Sequence, residues 1–156
     1  MASRTAKDVS TPLLSEILRK VHNAKTKDKK IQVLKDYNTP GLRMVLKSSF
    51  DPNIIWVLPA DNPPYIPNDS PAGEEHVYLL SEASKLFRFI KGGHDSLNTL
   101  KRESLFVSLL ESLQEEEAVL LLHAKNKELH KIYKGLSKEV VKEAFGWNDN
   151  FMLKNA

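Results

Sequence analysis

The sequence predicts an all-α fold, an irregular bundle of seven to eight short helices interrupted by one long proline-rich loop. Three observations carry that reading. Apolar residues recur at spacings of three and four through most of the chain, the period of one helix face. Cap residues, prolines and glycines punctuate the pattern at short intervals. Only one run of β-branched and aromatic residues, Asn53 to Leu58, stands out against it.

The elements follow in order. Leu13, Leu14, Ile17, Leu18 and Val21 share a helix face behind a Thr11 cap, with Pro12 at the first helical position, where its missing N–H costs nothing. Thr26 caps a second helix that turns Ile31, Leu34 and Tyr37 inward and Lys27, Lys29, Lys30 and Lys35 largely outward. Thr39-Pro40 repeats the cap-then-proline signal. A third helix runs through Leu42, Val45, Leu46 and Phe50 to Asp51-Pro52, because a residue before proline is pushed out of the helical region. Asn53 to Leu58 reads equally as a strand or as a buried extended segment. Five of the eight prolines fall between Pro59 and Gly73, a loop with partial polyproline II character. Leu79, Ala83, Leu86, Phe87 and Ile90 then form an apolar stripe that Gly92-Gly93 ends. Leu97 to Leu113 is the longest expected helix, with Phe106, Leu109, Leu110 and Leu113 on one face. Ser112 and Glu115 have capping-box spacing and mark a break before Ala118 to Ala124. Asn126 caps a short helix holding Leu129, Ile132 and Tyr133, which Gly135 ends. Ser137 caps the last helix, Lys138 to Phe145, and Gly146 closes it.

The 156 residues, 41% of them hydrophobic, suit one domain with a single core. The expected division is a flexible N-terminus at 1–10, a helical domain at 11–147 with the proline-rich loop at 59–74, and a C-terminal tail at 148–156. Residues 1–10 are polar and lack the apolar stretch of a secretory signal. The longest apolar run among the expected helices, Ala118 to Leu122, is far short of the ~20 residues that span a bilayer. A soluble cytoplasmic protein is expected, with no membrane partner.

The charge is segregated. Residues 1–50 carry 11 basic and 4 acidic side chains, a net +7, residues 51–118 carry 5 and 12, a net −7, and residues 119–156 carry 7 and 4, a net +3. Two basic segments flank an acidic one, and if folding brings them together they form one positive face, the footprint of an anionic partner. If they point apart, they are merely solvated.

Several chemistries are excluded. Without cysteine there is no disulfide, thiolate metal site or cysteine nucleophile. His22, His76, His94, His123 and His130 form no ligand motif with one another or with carboxylates, so no metal is expected. G-x-S-x-G, G-x-x-x-x-G-K-[ST] and G-x-G-x-x-G are all absent. Glu115 to Glu117 read as an acidic first helical turn, favourable against the helix dipole; as adjacent helix residues they point apart, which argues against a catalytic pair. No catalytic residue and no cofactor are expected, and the chain reads as a non-enzyme.

The strongest candidate site is the hairpin Lys134-Gly135-Leu136-Ser137-Lys138. Gly135 permits a tight turn and close approach of the backbone to a ligand. The Ser137 cap leaves backbone N–H groups at the start of the final helix, a ready anion site, and Lys134 and Lys138 add charge. The plain alternative is that Gly135 only stops one helix and Ser137 only starts the next. Lys91, Gly92 and Gly93 form a second, weaker site of the same kind.

The run K-G-L-S-K-E-V-V-K-E-A-F-G, after a short basic helix, resembles the closing helices of the N-terminal DNA-binding domain of ATP-dependent DNA ligases. The opening L-S-E-I-L-R-K-V-H-N-A-K-T-K-D-K-K-I-Q-V-L-K resembles the first two helices of phage ligases. F-D-P-N, F-I-K-G-G and K-E-A-F-G-W-N-D-N-F-M resemble small proteins of unknown role in large T4-like tailed phages. The K-x-D-G lysine that ligases adenylylate is absent, and there is no room for a nucleotidyltransferase domain, so ligase activity is excluded. The proline-rich loop and the Glu115 to Glu117 cluster also depart from the ligase pattern. The ligase resemblance implies DNA-backbone contacts at Lys134, Gly135, Ser137 and Lys138, further ones at Lys91, Gly92 and Gly93, and phosphate-facing charge from Lys25, Lys27, Lys29 and Lys30. The phage resemblance implies the cytoplasm of an infected bacterium.

The expected function is a non-catalytic module that grips duplex DNA without reading sequence. The rival reading is a protein-interaction factor binding a phage or host replication or transcription component, or a virion component. Trp56 and Tyr65 in and beside the loop, the acidic middle, and Trp147 and Phe151 in the tail motivate it, since tryptophan and tyrosine often anchor interfaces.

Overall fold

Residues 12–70 and 76–154 are described by a computed structural model. They form eight α-helices and one 3-10 segment: α1 (Leu14–Asn23), α2 (Lys27–Asp36), α3 (Pro40–Phe50), α4 (Leu79–Glu82), the 3-10 segment (Ala83–Phe89), α5 (Thr99–Ser112), α6 (Glu115–Lys125), α7 (Leu129–Ile132) and α8 (Lys138–Phe145). The described residues contain isolated β-bridges but no strand. The all-α expectation is met. Thr11, the N-terminal segment at 1–10, residues 71–74 of the expected loop with residue 75 after it, and residues 155–156 of the expected tail lie outside the described residues.

Helix starts follow the local chemistry where a short polar side chain is available. Thr26 accepts from the N–H of Lys29 at 3.2 Å, Thr39 from Leu42 at 3.4 Å and Ser137 from Val140 at 3.3 Å. Three expected starts are corrected. Helix α1 begins at Leu14, after an extended Leu13, so Pro12 stands ahead of the helix; the N–H of Leu13 donates to Glu16 Oε1 at 2.7 Å. Gln114, not Ser112, caps α6, accepting from Glu116, while the Ser112 hydroxyl donates back to Leu109 O. Asn126 ends α6 rather than starting α7, and its amide donates to Asn62 Oδ1.

The stripe from Leu79 to Ile90 is also corrected. The α period places Phe87 inward. The chain instead tightens into a 3-10 turn, whose three-residue period lines up Ala83, Leu86 and Phe89. Those three are fully buried, while Phe87 is 45% exposed. The Phe89 ring meets Phe106 edge-on at 5.3 Å.

Helices α3 and α6 cross the centre of the core. Helix α3 packs on α4, the 3-10 segment, α6 and α8, and α6 packs also on α1, α5 and α7. At the start of α6 the Glu117 carboxylate is fully buried. Its Oε2 accepts from the N–H of Ser15 at 3.0 Å and its Oε1 from Leu79 at 3.1 Å, so one side chain serves the first turns of both α1 and α4. Burial pushes its carboxyl above the ordinary glutamate range, against those backbone hydrogen bonds, which lower it.

The 53–58 segment is extended and pairs at a single bridge, Trp56 with Ile90, through bonds from Val57 N–H to Phe89 O and from Lys91 N–H to Ile55 O. The proline-rich loop is tied onto the α5–α6 corner. Glu111 accepts from the N–H of Ile66 at 2.8 Å, and Glu115 accepts from the Tyr65 hydroxyl at 2.9 Å. Burial and that carboxylate push the Tyr65 hydroxyl up to about 12. The expected tail belongs to the core as far as Phe151. Trp147 and Phe151 are buried, the Trp147 ring lying tilted between those of Phe145 (4.9 Å) and Phe151 (6.0 Å), and Trp147 bridges to Leu153.

Candidate functional site

The largest helix–helix contact joins α2 to α8 and so brings the two basic ends of the chain together. The 134–138 hairpin sits against the α1–α2 turn through two hydrogen bonds. The N–H of Lys134 donates to His22 Nδ1 at 2.8 Å, which requires a neutral His22 ring with its proton on Nε2. The Lys30 ammonium donates to the carbonyls of Val21 (2.8 Å), Ala24 (2.9 Å) and Lys134 (3.1 Å). Just before the hairpin, buried Tyr133 carries the Arg19 guanidinium 5.5 Å above its ring, and burial pushes its hydroxyl up to about 12.

Gly135 is required at its position for two reasons. Its φ is +79, in the left-handed region, and a Cβ there would collide with Cε of Lys30 and lie 2.8 Å from its Cδ. The reading of Gly135 as a helix stop is corrected: α7 already ends at Ile132, where Tyr133 turns extended, and the bare Cα of Gly135 is instead the seat for the lysine that closes the α1–α2 turn. Lys30 itself is corrected. It was expected to face phosphates, but it is half-buried and spent on four carbonyls, since the end of α1 leaves carbonyls without partners. Burial lowers its ammonium below the usual lysine range, and the neighbouring charges of Lys134 and Lys25 lower it further.

Lys25, Lys27 and Lys29 on one side, and Lys134 and Lys138 on the other, are exposed. None of the five makes an ion pair among the described residues, whereas Lys131 and Lys142 are paired with Glu128 and Asp149. The amides of Gly135, Ser137 and Lys138 take no intramolecular acceptor among the described residues. The Ser137 hydroxyl is used as the α8 cap. The hairpin thus offers free backbone donors with Lys134 and Lys138 beside them in sequence, and Lys30 and His22 hold it against the turn that carries Lys25, Lys27 and Lys29. Glu139 and Glu143 line the adjoining cleft with Lys27 and Lys142.

The second expected site is built differently. Lys91, Gly92 and Gly93 are exposed, but the Gly92 N–H donates to Asp95 Oδ1 at 2.8 Å and the Gly93 N–H to Ile90 O at 2.9 Å. The amides expected to meet a phosphate already hold acceptors. This turn is clamped from below by buried Arg102, which donates to Arg88 O and His94 O, both at 3.0 Å.

Residues 17–131 match a family of unknown function (DUF6433). The chain belongs to that family. The DUF6433 match includes the lysines of the α1–α2 turn and stops short of the 134–138 hairpin. No curated protein and no solved structure matches the chain.

Sequence reading missed His22, the acceptor that docks the hairpin, and no local signal marked it. The aromatic residues that motivate the protein-interaction reading differ in exposure, Trp56 and Tyr65 being only half-buried. Trp147 and Phe151 are core residues, Tyr65 is bonded to Glu115, and the Trp56 indole donates to Ser48 O at 2.9 Å. Among the described residues no group of three or more His, Asp or Glu is placed to hold a metal, and no helix is long and apolar enough to cross a membrane.

Proposed function

We propose that this protein is a non-catalytic module that binds duplex DNA through its phosphate backbone, at the surface where the α1–α2 turn meets the 134–138 hairpin. The observation that supports this is the convergence of the two basic segments, fastened by Lys30 and His22, which carry five exposed lysines without ion pairs among the described residues, next to backbone amides that take no acceptor. Lysines and helix-start amides hold phosphates without reading bases, so binding is indifferent to sequence.

Gel-shift titration over a range of salt tests the reading. Five phosphate contacts give a slope of log affinity on log salt of about −4.5. Replacing Lys134 and Lys138 together by glutamate abolishes the shift while the circular dichroism of the chain is retained. Absence of any shift at low salt overturns the proposal.

A further inference from the structure

Three consecutive residues at the exit of α6 hold the 51–62 segment from one side. Lys125 Nζ donates to Pro59 O at 2.9 Å and Ala60 O at 3.4 Å, Asn126 Nδ2 to Asn62 Oδ1 at 2.9 Å, and Lys127 Nζ to Asp51 O at 2.7 Å. Between them and the segment opens a cleft of about 420 Å³, with Ile54, Trp56 and Leu58 in its walls and both lysines in its lining. No carboxylate residue lines it.

The two lysines are placed at a cost. Lys125 is 6% exposed and Lys127 is half-buried, yet neither forms an ion pair among the described residues. An ammonium taken out of water and given only neutral carbonyls recovers part of its hydration and lacks a counter-charge. Desolvation holds both below the ordinary lysine range; Asp61 near Lys125 and Asp51 near Lys127 act in the opposite direction. Lys127 also takes a left-handed backbone, φ +61, where asparagine or glycine is the favoured occupant. The chain bends there around a lysine.

We propose that this cleft binds a small organic acid, with its apolar body against Ile54, Trp56 and Leu58 and its carboxylate between Lys125 and Lys127. The volume falls in the range of small-molecule sites, about 300–1,000 Å³, which are mostly apolar with a few placed polar groups. Each ammonium has three donors. The carbonyls take two from Lys125 and one from Lys127, so both retain a donor for a charge-assisted bond. The Trp56 N–H is committed to Ser48 O, so its indole offers an apolar face, which suits a flat acid. None of the hairpin lysines takes part, so this site and the DNA-binding reading stand or fall separately.

Nuclear magnetic resonance of the full chain tests it, with indole-3-acetate as the probe and indole-3-acetamide as its uncharged counterpart. The acid gives saturable shifts of the Trp56 indole and Lys127 signals, and the amide binds at least about tenfold more weakly. Lys127→Met weakens the acid by a similar factor, whereas Lys127→Arg, which keeps the charge, retains binding. Equal response to acid and amide overturns the proposal, as does undiminished acid binding by a folded Lys127→Met chain or a Trp56 signal that neither probe moves. Should Lys127→Met fail to fold, the acid–amide comparison on the unaltered chain decides alone.

Discussion

The turn at Lys91-Gly92-Gly93-His94 and the turn at Lys134–Lys138 both set glycine beside lysine between helical segments, and the chain treats them differently. At the first, Asp95 fills the Gly92 amide and Arg102 clamps the flanking carbonyls. At the second, no carboxylate reaches the amides of Gly135, Ser137 or Lys138 among the described residues, and the surrounding lysines come partly from the far end of the chain. Glu117 is a third case, in which an internal carboxylate occupies the first turns of α1 and α4. Backbone donors without a main-chain acceptor attract anions in all three places. What separates a structural turn from an open surface is whether the chain's own carboxylates arrive first.

The largest expected effect probes the glycines. Gly135→Val adds a β-branched side chain at φ +79 and drives it into Lys30. Left-handed strain and overpacking together cost about 3 kcal/mol, read by urea denaturation. Gly92→Val meets a similar φ of +89 in open space and costs only about 1–2 kcal/mol. Equal losses at the two positions would erase the distinction between them.

Glu117→Gln comes next, since its amide NH2 replaces one of the two carboxyl oxygens that accept the Ser15 and Leu79 N–H groups. A buried donor left without a partner costs about 2 kcal/mol. Burial raises the Glu117 carboxyl in the folded state above its value of 4.5 in the unfolded chain. Stability from that shift is therefore fully present below pH 4.5 and is lost as pH rises through the folded-state value. The wild-type advantage over Glu117→Gln is largest on the acid side and narrows toward neutrality. A gap that widens with pH instead shows that the hydrogen bonds from Ser15 and Leu79 outweigh burial.

Asp95→Ala gives the smallest effect. It frees the Gly92 amide beside Lys91 at a surface cost of about 0.5 kcal/mol. DNA affinity in the gel-shift assay rises by about twofold or less. A large gain would make the 91–95 turn a latent second grip rather than a closed one.

Much of the helical punctuation was legible in the sequence, because caps act over three or four residues. Thr26, Thr39, Ser137 and Gly146 all sit where local chemistry places them. The Ala83–Phe89 turn was not legible, since an apolar stripe at 83, 86 and 87 satisfies the α period until neighbouring packing selects period three. Among the expected site residues, Lys134 lies against the α1–α2 turn through Lys30 and His22. Lys30 left that set because its partners are carbonyls on α1 and on Lys134, 104 positions away. Arg102, Lys125 and Glu117 are buried charges that composition assigns to the surface, although Glu117 lies in helical register with buried Leu120, Leu121 and Ala124.

The sequence by itself determined the helical class, most of the breaks between helices and the segregation of charge, because these depend on side-chain periodicity, capping and composition within a few residues. Only the tertiary structure decided which charges are free. An ammonium or carboxylate is spent when a distant backbone group comes within hydrogen-bond reach, and that distance is set by the packing of α1, α2, α6 and α8 rather than by any neighbour along the chain.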